Sequence, residues 1–245
     1  MSGHSHAANI AAKKAKTDAV KGKIFTKIGR EIAVAAKSNP DPATNSKLAD
    51  AIAKAKAANM PNDNIKRCIA KAAGELSGDN YEELTYEGYG PAGSAVIVKA
   101  LTDNKNRTVD YVRTAMKKHG GSLGNAGCVS FTFTNMGEIV VEKNVALSDD
   151  EVMEYALDAG ADDFIIEDDA YVVTTSVQNF SSVRKYLEEK GLNFFEAQVG
   201  MFPQNKITLT GDDLAKFTRL VDALEDLDDV QNVYHNVDIP YDDEE

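Results

Sequence analysis

The sequence predicts an α+β protein: an N-terminal three-helix domain followed by two ferredoxin-like α+β domains, one inserted into the other. Two observations support this fold. Apolar residues recur at three- and four-residue spacing from Lys21 to Gly74, which is typical of helices. Residues 138–199 then follow the order β-α-β-β-α-β, and the segments on either side repeat that order when this stretch is removed. The predicted domains are 1–78, which includes a basic arm, then 79–135 with 203–245, and the inserted 136–202.

Three helices are expected in the first domain. The first begins near Lys21 and ends at Asn39-Pro40-Asp41-Pro42, because proline disfavours helix in the residue before it. Its apolar face consists of Ile24, Phe25, Ile28, Ile32 and Ala35. The second helix is expected around Leu48, Ala51, Ile52 and Ala55. The third starts at Met60-Pro61, buries Ile65, Cys68, Ile69 and Ala72, and ends at Gly74.

The remaining elements alternate between strands and helices. In the outer domain, strands are expected at 95–101, 128–133, 206–210 and 230–236, with helices at 107–119 and 212–226. In the inserted domain, strands are expected at 138–142, 163–167, 171–175 and 194–199, with helices at 149–159 and 182–190. Ser148 and Glu151 predict a capping box at the start of the 149–159 helix.

Charge is distributed very unevenly along the chain. Residues 1–78 hold 14 Lys and Arg against 6 Asp and Glu, a net charge of +8. Residues 79–245 hold 13 against 33, a net charge of −20. A basic segment attracts polyanions while an acidic body is repelled by them. The asymmetry therefore favours nucleic-acid contact through the N-terminal region.

Several classes of protein are disfavoured. No apolar run approaches the roughly 20 residues of a membrane span, and the basic N-terminus lacks the apolar core of a secretory signal. Cys68 and Cys128 are isolated in apolar contexts, as in reduced cytosolic proteins. We expect a cytoplasmic protein without a membrane partner.

The motifs offer no catalytic or cofactor site. The run from Gly88 to Gly93 matches G-x-G-x-x-G, but a dinucleotide-binding loop follows a strand and opens a helix, whereas this one precedes a strand. The acidic residues near 225–229 lack the spacing of a calcium loop. No nucleophile-and-base constellation stands out among the four histidines. We expect a protein that is not an enzyme and has no cofactor, metal or small-molecule substrate.

The candidate nucleic-acid-binding residues are basic side chains in two segments. The arm and first helix provide Lys13, Lys14, Lys16, Lys21, Lys23, Lys27 and Arg30. The turn at 102–108 provides Lys105 and Arg107, which could form a phosphate site with the N-terminus of the following helix. The favoured interpretation of this turn is instead a capped connection, in which Asp or Asn satisfies the first N–H groups.

Short motifs along the whole chain resemble the YebC/PmpR family. They are Gly3-His4-Ser5, Ala8-Asn9-Ile10, the stretches 22–27, 55–61 and 86–91, Thr102-Asp103-Asn104, Asn106-Arg107-Thr108, and the stretches 120–124 and 228–233. The resemblance implies a three-domain fold and no enzymatic activity. Members are commonly labelled transcriptional regulators that bind DNA. Relatives that include a mitochondrial translational activator are associated with the ribosome and with relief of stalling at proline-rich stretches.

This chain departs from the family pattern at five positions in the first domain. Relatives usually carry Lys-Trp, Lys-His and Arg where His6-Ala7, Ala11-Ala12 and Ala49 stand here. Three basic positions and one aromatic are thereby removed from the expected contact surface.

We interpret the chain as a nucleic-acid-binding regulator of gene expression, with ribosomal RNA favoured as the partner because a basic arm on an acidic body suits a folded RNA. The alternative is a DNA-binding transcriptional regulator, for which the third helix offers Asn62, Asn64, Lys66 and Arg67. A second alternative is a protein-interaction module that uses the acidic α+β face.

Overall fold

The computed structural model describes residues 21–73, 81–144 and 146–239. They divide into two compact units, one containing 21–133 with 203–239 and the other containing 134–202. The predicted α+β class is confirmed by a helical N-terminal region followed by antiparallel sheets. No helix among the described residues is long and apolar enough to cross a membrane. Within the same residues, no cluster of His, Cys, Asp and Glu could hold a metal ion.

The three N-terminal helices are α1 (Lys21–Ser38), α2 (Ser46–Ala57) and α3 (Asn62–Ala73). They share a core formed by the predicted apolar faces, including Ile28, Ile32, Leu48 and Ile65. The Asn45 side chain accepts a hydrogen bond from Leu48 N and caps α2, while its amide donates to the carbonyls of Ala35 and Asn39. The predicted end of the third helix at Gly74 lies outside the described residues.

The remaining elements follow in chain order. They are β1 (Glu82–Tyr89), β2 (Ala95–Thr102), α4 (Lys105–Lys118), β3 (Ser122–Leu123), β4 (Phe133–Glu142), α5 (Asp149–Ala159), β5 (Asp163–Ile166), β6 (Ala170–Thr175), α6 (Phe180–Glu189), β7 (Phe194–Pro203), β8 (Ile207–Thr208), α7 (Gly211–Glu225), β9 (Val230–His235) and β10 (Val237–Asp238).

The first sheet has the order β3-β1-β2-β9, with antiparallel neighbours throughout. Helices α4 and α7 pack on one face of this sheet. Their contact residues include Met116 from α4 and Phe217 and Leu220 from α7, which meet Val96 and Val98 of β2 in one buried cluster.

The strand prediction for this outer domain is wrong at three places. Strand β1 was not expected, yet it pairs with β2 along its whole length and lies beside the short β3. Residues 128–132 form a turn and a short 3-10 helix instead of the expected strand at 128–133. The strand expected at 206–210 is reduced to β8, which pairs with β10 in a separate two-stranded parallel sheet. Strand β1 therefore occupies the position in the sheet that a ferredoxin-like order would give to the 206–210 strand.

The inserted unit has the predicted β-α-β-β-α-β order. Its sheet order is β5-β6-β4-β7, which is the strand arrangement of a ferredoxin-like fold. Helices α5 and α6 contribute Val152, Ala156, Val183 and Leu187 to the core of this unit. The predicted capping box is confirmed at the start of α5.

Candidate nucleic-acid interface

The structure places the predicted basic residues in three groups. Lys13, Lys14 and Lys16 lie outside the described residues, and so does the side chain of Lys21, the first residue of α1. Lys23, Lys27 and Arg30 lie further along α1, and Lys105 and Arg107 lie in the first turn of α4. Their environment determines what they can bind.

Helix α1 packs against acidic residues at the end of α7 and just after it, which we call the acidic edge. It consists of Glu225, Asp226, Asp228 and Asp229. The Lys23 Nζ lies 2.5 Å from the Asp226 carboxylate. The Lys27 Nζ donates to the Glu225 carbonyl at 2.6 Å, and the Arg30 guanidinium donates to the Asp228 carbonyl at 2.6 Å.

The spacing of these three cations explains how one helix makes all the contacts. Residues 23, 27 and 30 are separated by four and three positions, so they lie on one face of α1. The carbonyls of Glu225 and Asp226 are at the C-terminus of α7, where the helix dipole is negative and favours cations. Burial lowers the pKa of Lys27, partly offset by the nearby acids, whereas the hydrogen bond to Asp226 raises the pKa of Lys23.

Asp229 is the centre of the contact between α1 and the outer α+β domain. Its side chain is buried and accepts hydrogen bonds from Arg30 at 3.1 Å, Arg107 at 2.9 Å and the Thr108 hydroxyl at 2.8 Å. Burial alone would raise the pKa of Asp229, but the hydrogen bonds from Arg107 and Thr108 and the positive charges of both arginines outweigh it and lower that pKa. One carboxylate thus links α1, α4 and the start of β9.

The turn before α4 is a capped connection, as favoured from the sequence. The Asn104 side chain accepts from the Arg107 N–H at 3.0 Å, and the Thr102 hydroxyl accepts from the Asn104 N–H at 2.9 Å. The Arg107 guanidinium bonds Asp229 and Asp103, and these two hydrogen bonds raise its pKa. Lys105 forms an ion pair with Glu82. The cations expected to hold a phosphate therefore hold carboxylates in this structure.

A cleft of about 490 Å³ opens beside these ion pairs. It is lined by Lys23, Arg30 and Arg107, and also by Asp226, Asp228 and Asp229. A phosphate that entered this cleft would meet three carboxylates along with the cations, so it would gain little net attraction. Phosphate contact by these five predicted residues stays a prediction, since it requires the carboxylates to be displaced.

Exposed cations also lie on the other two helices of the first domain. The described part of that domain, residues 21–73, holds 11 Lys and Arg against 4 Asp and Glu, a net charge of +7. Helices α2 and α3 carry exposed Lys47, Lys56, Lys66 and Arg67. From the sequence, only Lys66 and Arg67 among these were candidate contacts, and only for DNA. Their positions off the apolar stripes of the two helices were a signal that could have identified all four.

Comparisons with known proteins cover nearly the whole chain. A model of the TACO1/YebC protein N-terminal domain matches residues 5–75, and a model of the TACO1/YebC second and third domain matches residues 81–237. A "Probable transcriptional regulatory protein ORF2U" of Hathewaya histolytica is 58% identical over 98% of each chain. A "Probable transcriptional regulatory protein" of Acetivibrio thermocellus is 58% identical over 96% of this chain and 98% of its own. The crystal structure of a conserved hypothetical protein from Aquifex aeolicus matches with a TM-score of 0.81 and 42% identity, covering 94% of this chain and 95% of that one.

Proposed function

Because the chain belongs to the TACO1/YebC family, it is a regulator of gene expression, and we propose that it acts by binding nucleic acid, with ribosomal RNA as its working partner. Membership confirms the resemblance to the YebC/PmpR family. In this proposal the protein is a cytoplasmic, non-enzymatic translation factor that binds the large ribosomal subunit and relieves stalling.

The observation that carries the proposal is the separation of charge between the surfaces of one compact unit. The acidic edge faces α1, where its carboxylates and carbonyls pair with Lys23, Lys27 and Arg30. The cations of α2 and α3 named above are exposed, so the positive charge of the first domain is accessible from solvent on these two helices. A domain of net positive charge fixed to an acidic body attracts phosphates on one side and repels them on the other. This arrangement orients the protein on a polyanion.

RNA suits this arrangement better than duplex DNA. A folded RNA can be recognised by its shape and by its 2′-hydroxyl groups, in addition to the phosphates that lysines bind. Duplex DNA lacks the 2′-hydroxyl groups. A long DNA duplex carries phosphates on both sides of its contact, and residues 79–245, with a net charge of −20, repel such an extended polyanion. The acidic body therefore penalises DNA more than a compact RNA site.

DNA remains the second candidate because of the names of the relatives and the composition of α3. Both relatives described above are named transcriptional regulatory proteins. Helix α3 presents Asn62, Lys66 and Arg67 as exposed side chains, and Asn and Arg are common readers of base edges. However, the Arg67 guanidinium donates to Asn64 within the same helix at 2.8 Å, so this pair would have to separate to read bases.

A competition assay at one near-physiological salt concentration separates the two functions. In one arm, labelled protein bound to purified large ribosomal subunits is challenged with promoter DNA fragments. In the other arm, labelled protein bound to promoter DNA is challenged with the subunits. We expect the subunits to retain the protein, because the acidic body repels a long duplex more than a compact RNA site. The salt concentration is kept the same because affinities that rest on phosphate contacts can be compared only at equal salt. A specific promoter fragment that displaces the protein from the subunits would make transcription the primary function.

The role of the first domain is tested by replacing Lys47, Lys56, Lys66 and Arg67 with Gln, which keeps helix propensity and removes four charges. If each cation contacts one phosphate, the slope of log K against log salt becomes shallower by about 3 for single-stranded RNA. The matched control, called the body control variant, replaces Lys99, Lys185, Lys190 and Lys206 with Gln and should leave the slope unchanged. Equal slopes in the two variants would contradict a contact through α2 and α3.

A further inference from the structure

The far ends of α4 and α7 form a second charged surface. The N-terminal turn of α4 and the C-terminus of α7 both lie at Asp229, so the two packed helices run in opposite directions. At their other ends, the last turn of α4 and the first turns of α7 border a cleft of about 660 Å³. We call this the basic cleft, and its cations are Lys117, Lys118, Lys216 and Arg219.

The basic cleft contrasts with the net charge of the chain after the first domain. Residues 79–245 contain only 13 Lys and Arg against 33 Asp and Glu, yet four of those cations line this one cleft. Among the lining residues, Asp213 is the one carboxylate, and Lys216 also pairs with Asp212 at 2.7 Å just outside. All four cations are exposed, so they are available to a ligand that approaches from solvent.

The remaining wall of the basic cleft is formed by His119, which follows α4, and by three small residues. These are Pro91 and Ala92 in the turn between β1 and β2, and Gly120 after α4. Ala92 has a left-handed backbone with φ 52° and ψ 27°, a conformation that residues with a Cβ adopt rarely and that is found preferentially at ligand-binding positions. These small residues leave room for a phosphodiester chain to lie between the cationic side chains. The Gly88–Gly93 motif thus contributes to a site different from the dinucleotide loop that it superficially matches.

We propose that the basic cleft binds the phosphate backbone of RNA, as a second contact in addition to the first domain. This proposal rests on the proposed function and assigns the outer α+β domain a direct part in it. Helix α4 has 14 residues and is about 20 Å long, so the basic cleft is separated from the α1 contact by several phosphates of an extended strand. Lysine and arginine side chains recognise phosphates and leave the bases unread, and His119 is the one aromatic ring among the lining residues.

An RNA strand fits the basic cleft better than a free phosphate or nucleotide. The four cations are exposed, so each phosphate contact is weak by itself and is screened by salt. A continuous backbone makes several such contacts at once and releases a counterion at each of them. A small anion would make only one or two, without a buried polar group to hold it.

The test replaces Lys117, Lys118, Lys216 and Arg219 with Gln in the full chain and measures binding to purified large ribosomal subunits across a salt series. The body control variant removes the same number of charges from other positions. We expect the slope of log K against log salt to become shallower by about 3 in the cleft variant and to remain at the wild-type value in the control. Thermal melting checks that both variants are folded; all the substituted residues are exposed except the half-buried Lys99 of the control.

The outcomes distinguish this proposal from the function on which it rests. If the wild type binds the subunits and the cleft and control variants show equal slopes, the proposed RNA contact of the basic cleft is overturned and the proposed function is not. Absence of wild-type binding to the subunits overturns both proposals. Saturable binding of inorganic phosphate that is lost in the cleft variant, with an unchanged slope on the subunits, would reassign the cleft to a small anion and overturn the RNA contact.

Discussion

At the scale of single residues, Asp229 has the largest number of partners at the contact between α1 and the outer domain. Its carboxylate accepts from two arginines and from the hydroxyls of Thr102 and Thr108, and its backbone carbonyl accepts from Leu101 N at 2.8 Å. Because the carboxylate is buried and fully engaged, removing its charge leaves both arginines without their shared counter-ion.

The substitution Asp229→Asn should lower the free energy of unfolding by about 2–3 kcal/mol, somewhat less than the loss of a fully buried ion pair because both arginines are partly exposed. Urea denaturation measures the change. The matched control is Asp228→Asn, whose exposed side chain can change while its backbone carbonyl still accepts from Arg30. We expect a change within about 0.5 kcal/mol for this control, and equal losses in the two variants would argue against the ion-pair role.

The same residue predicts a dependence of stability on pH. Hydrogen bonds and neighbouring charges hold the pKa of Asp229 below its ordinary value of 3.8, despite the burial that acts in the opposite direction. A lowered pKa in the folded state contributes stability that is present above the ordinary pKa and is lost as the pH falls through the folded pKa. The stability difference between the wild type and Asp229→Asn should therefore shrink below about pH 4. A difference that stays constant from pH 7 to pH 2 would contradict this linkage.

At the scale of elements, a single carboxylate determines the conformation of the segment after β3. Glu87 on β1 is buried and accepts hydrogen bonds from the N–H groups of Gly127 at 2.8 Å, Val129 at 3.0 Å and Ser130 at 2.8 Å. Burial would raise the pKa of Glu87, but these backbone hydrogen bonds lower it. Because these three N–H groups are bonded to Glu87 and the Cys128 N–H donates to the Asn125 carbonyl, residues 127–130 are held as a turn instead of pairing as a strand.

Replacing Glu87 with Gln should loosen this turn. A glutamine has one acceptor oxygen and turns an amide N–H₂ towards backbone donors, so at least one buried N–H loses its partner, at a cost of about 1–3 kcal/mol. Hydrogen exchange should show faster exchange at residues 127–130. Glu83→Gln, at an exposed position four residues earlier in the same strand, is the control, and it should leave the exchange of this turn unchanged. Unchanged protection in Glu87→Gln would show that the turn is held by other contacts.

The close approach of β1 to β3 gives a second prediction at this scale. A Cβ at Gly88 would lie 2.3 Å from the Ser122 carbonyl oxygen and 2.8 Å from the Met116 side chain, so β3 would have to move. We expect Gly88→Ala to destabilise the protein by about 1–3 kcal/mol in chemical denaturation. Gly22→Ala in α1 is the matched control, since no atom lies within 4 Å of its Cβ and alanine favours helix. A neutral Gly88→Ala would mean that β3 shifts freely.

At the scale of the whole molecule, the proposed binding of nucleic acid through α1 would compete with acidic groups of the protein itself. The acidic edge occupies Lys23, Lys27 and Arg30 with carboxylates and carbonyls, which are the groups that a phosphate would replace. A polyanion that uses α1 must compete with partners from the acidic edge. On the other surfaces, the competing contacts include pairs within a single helix, such as Arg67–Asn64 in α3 and Lys216–Asp212 in α7.

This competition is tested by neutralising the exposed part of the acidic edge with Asp226→Asn and Asp228→Asn. Lys23 then loses its carboxylate partner, so RNA affinity should rise and the slope of log K against log salt should steepen by about 0.7, the effect of one additional phosphate contact. The control replaces exposed Glu154 and Asp158 of α5 with Gln and Asn, which changes net charge equally. If only net charge matters, the two variants will gain the same affinity; a gain limited to the edge variant supports competition.

The sequence by itself determined the elements that depend on local periodicity and capping. Helix α5 agrees with its prediction at both ends because Ser148, Glu151 and the apolar spacing are all local signals. The inserted ferredoxin-like unit and the end of α1 before Pro40 follow from the same kind of evidence. The family was also recognisable, since its motifs are short and contiguous.

Only the tertiary structure decided the partners of the charged residues and the strand between 82 and 89. Strand β1 contains glutamates and a glycine that make a poor strand signal, and it is specified by pairing with β2 and β3. Asp229 and Arg30 are 199 residues apart, so no local pattern could show that they meet. The basic cleft likewise joins the two ends of a helix pair that are far apart in the chain. Charge counts reveal how many cations a segment carries, but whether each one faces a carboxylate or solvent is decided by packing.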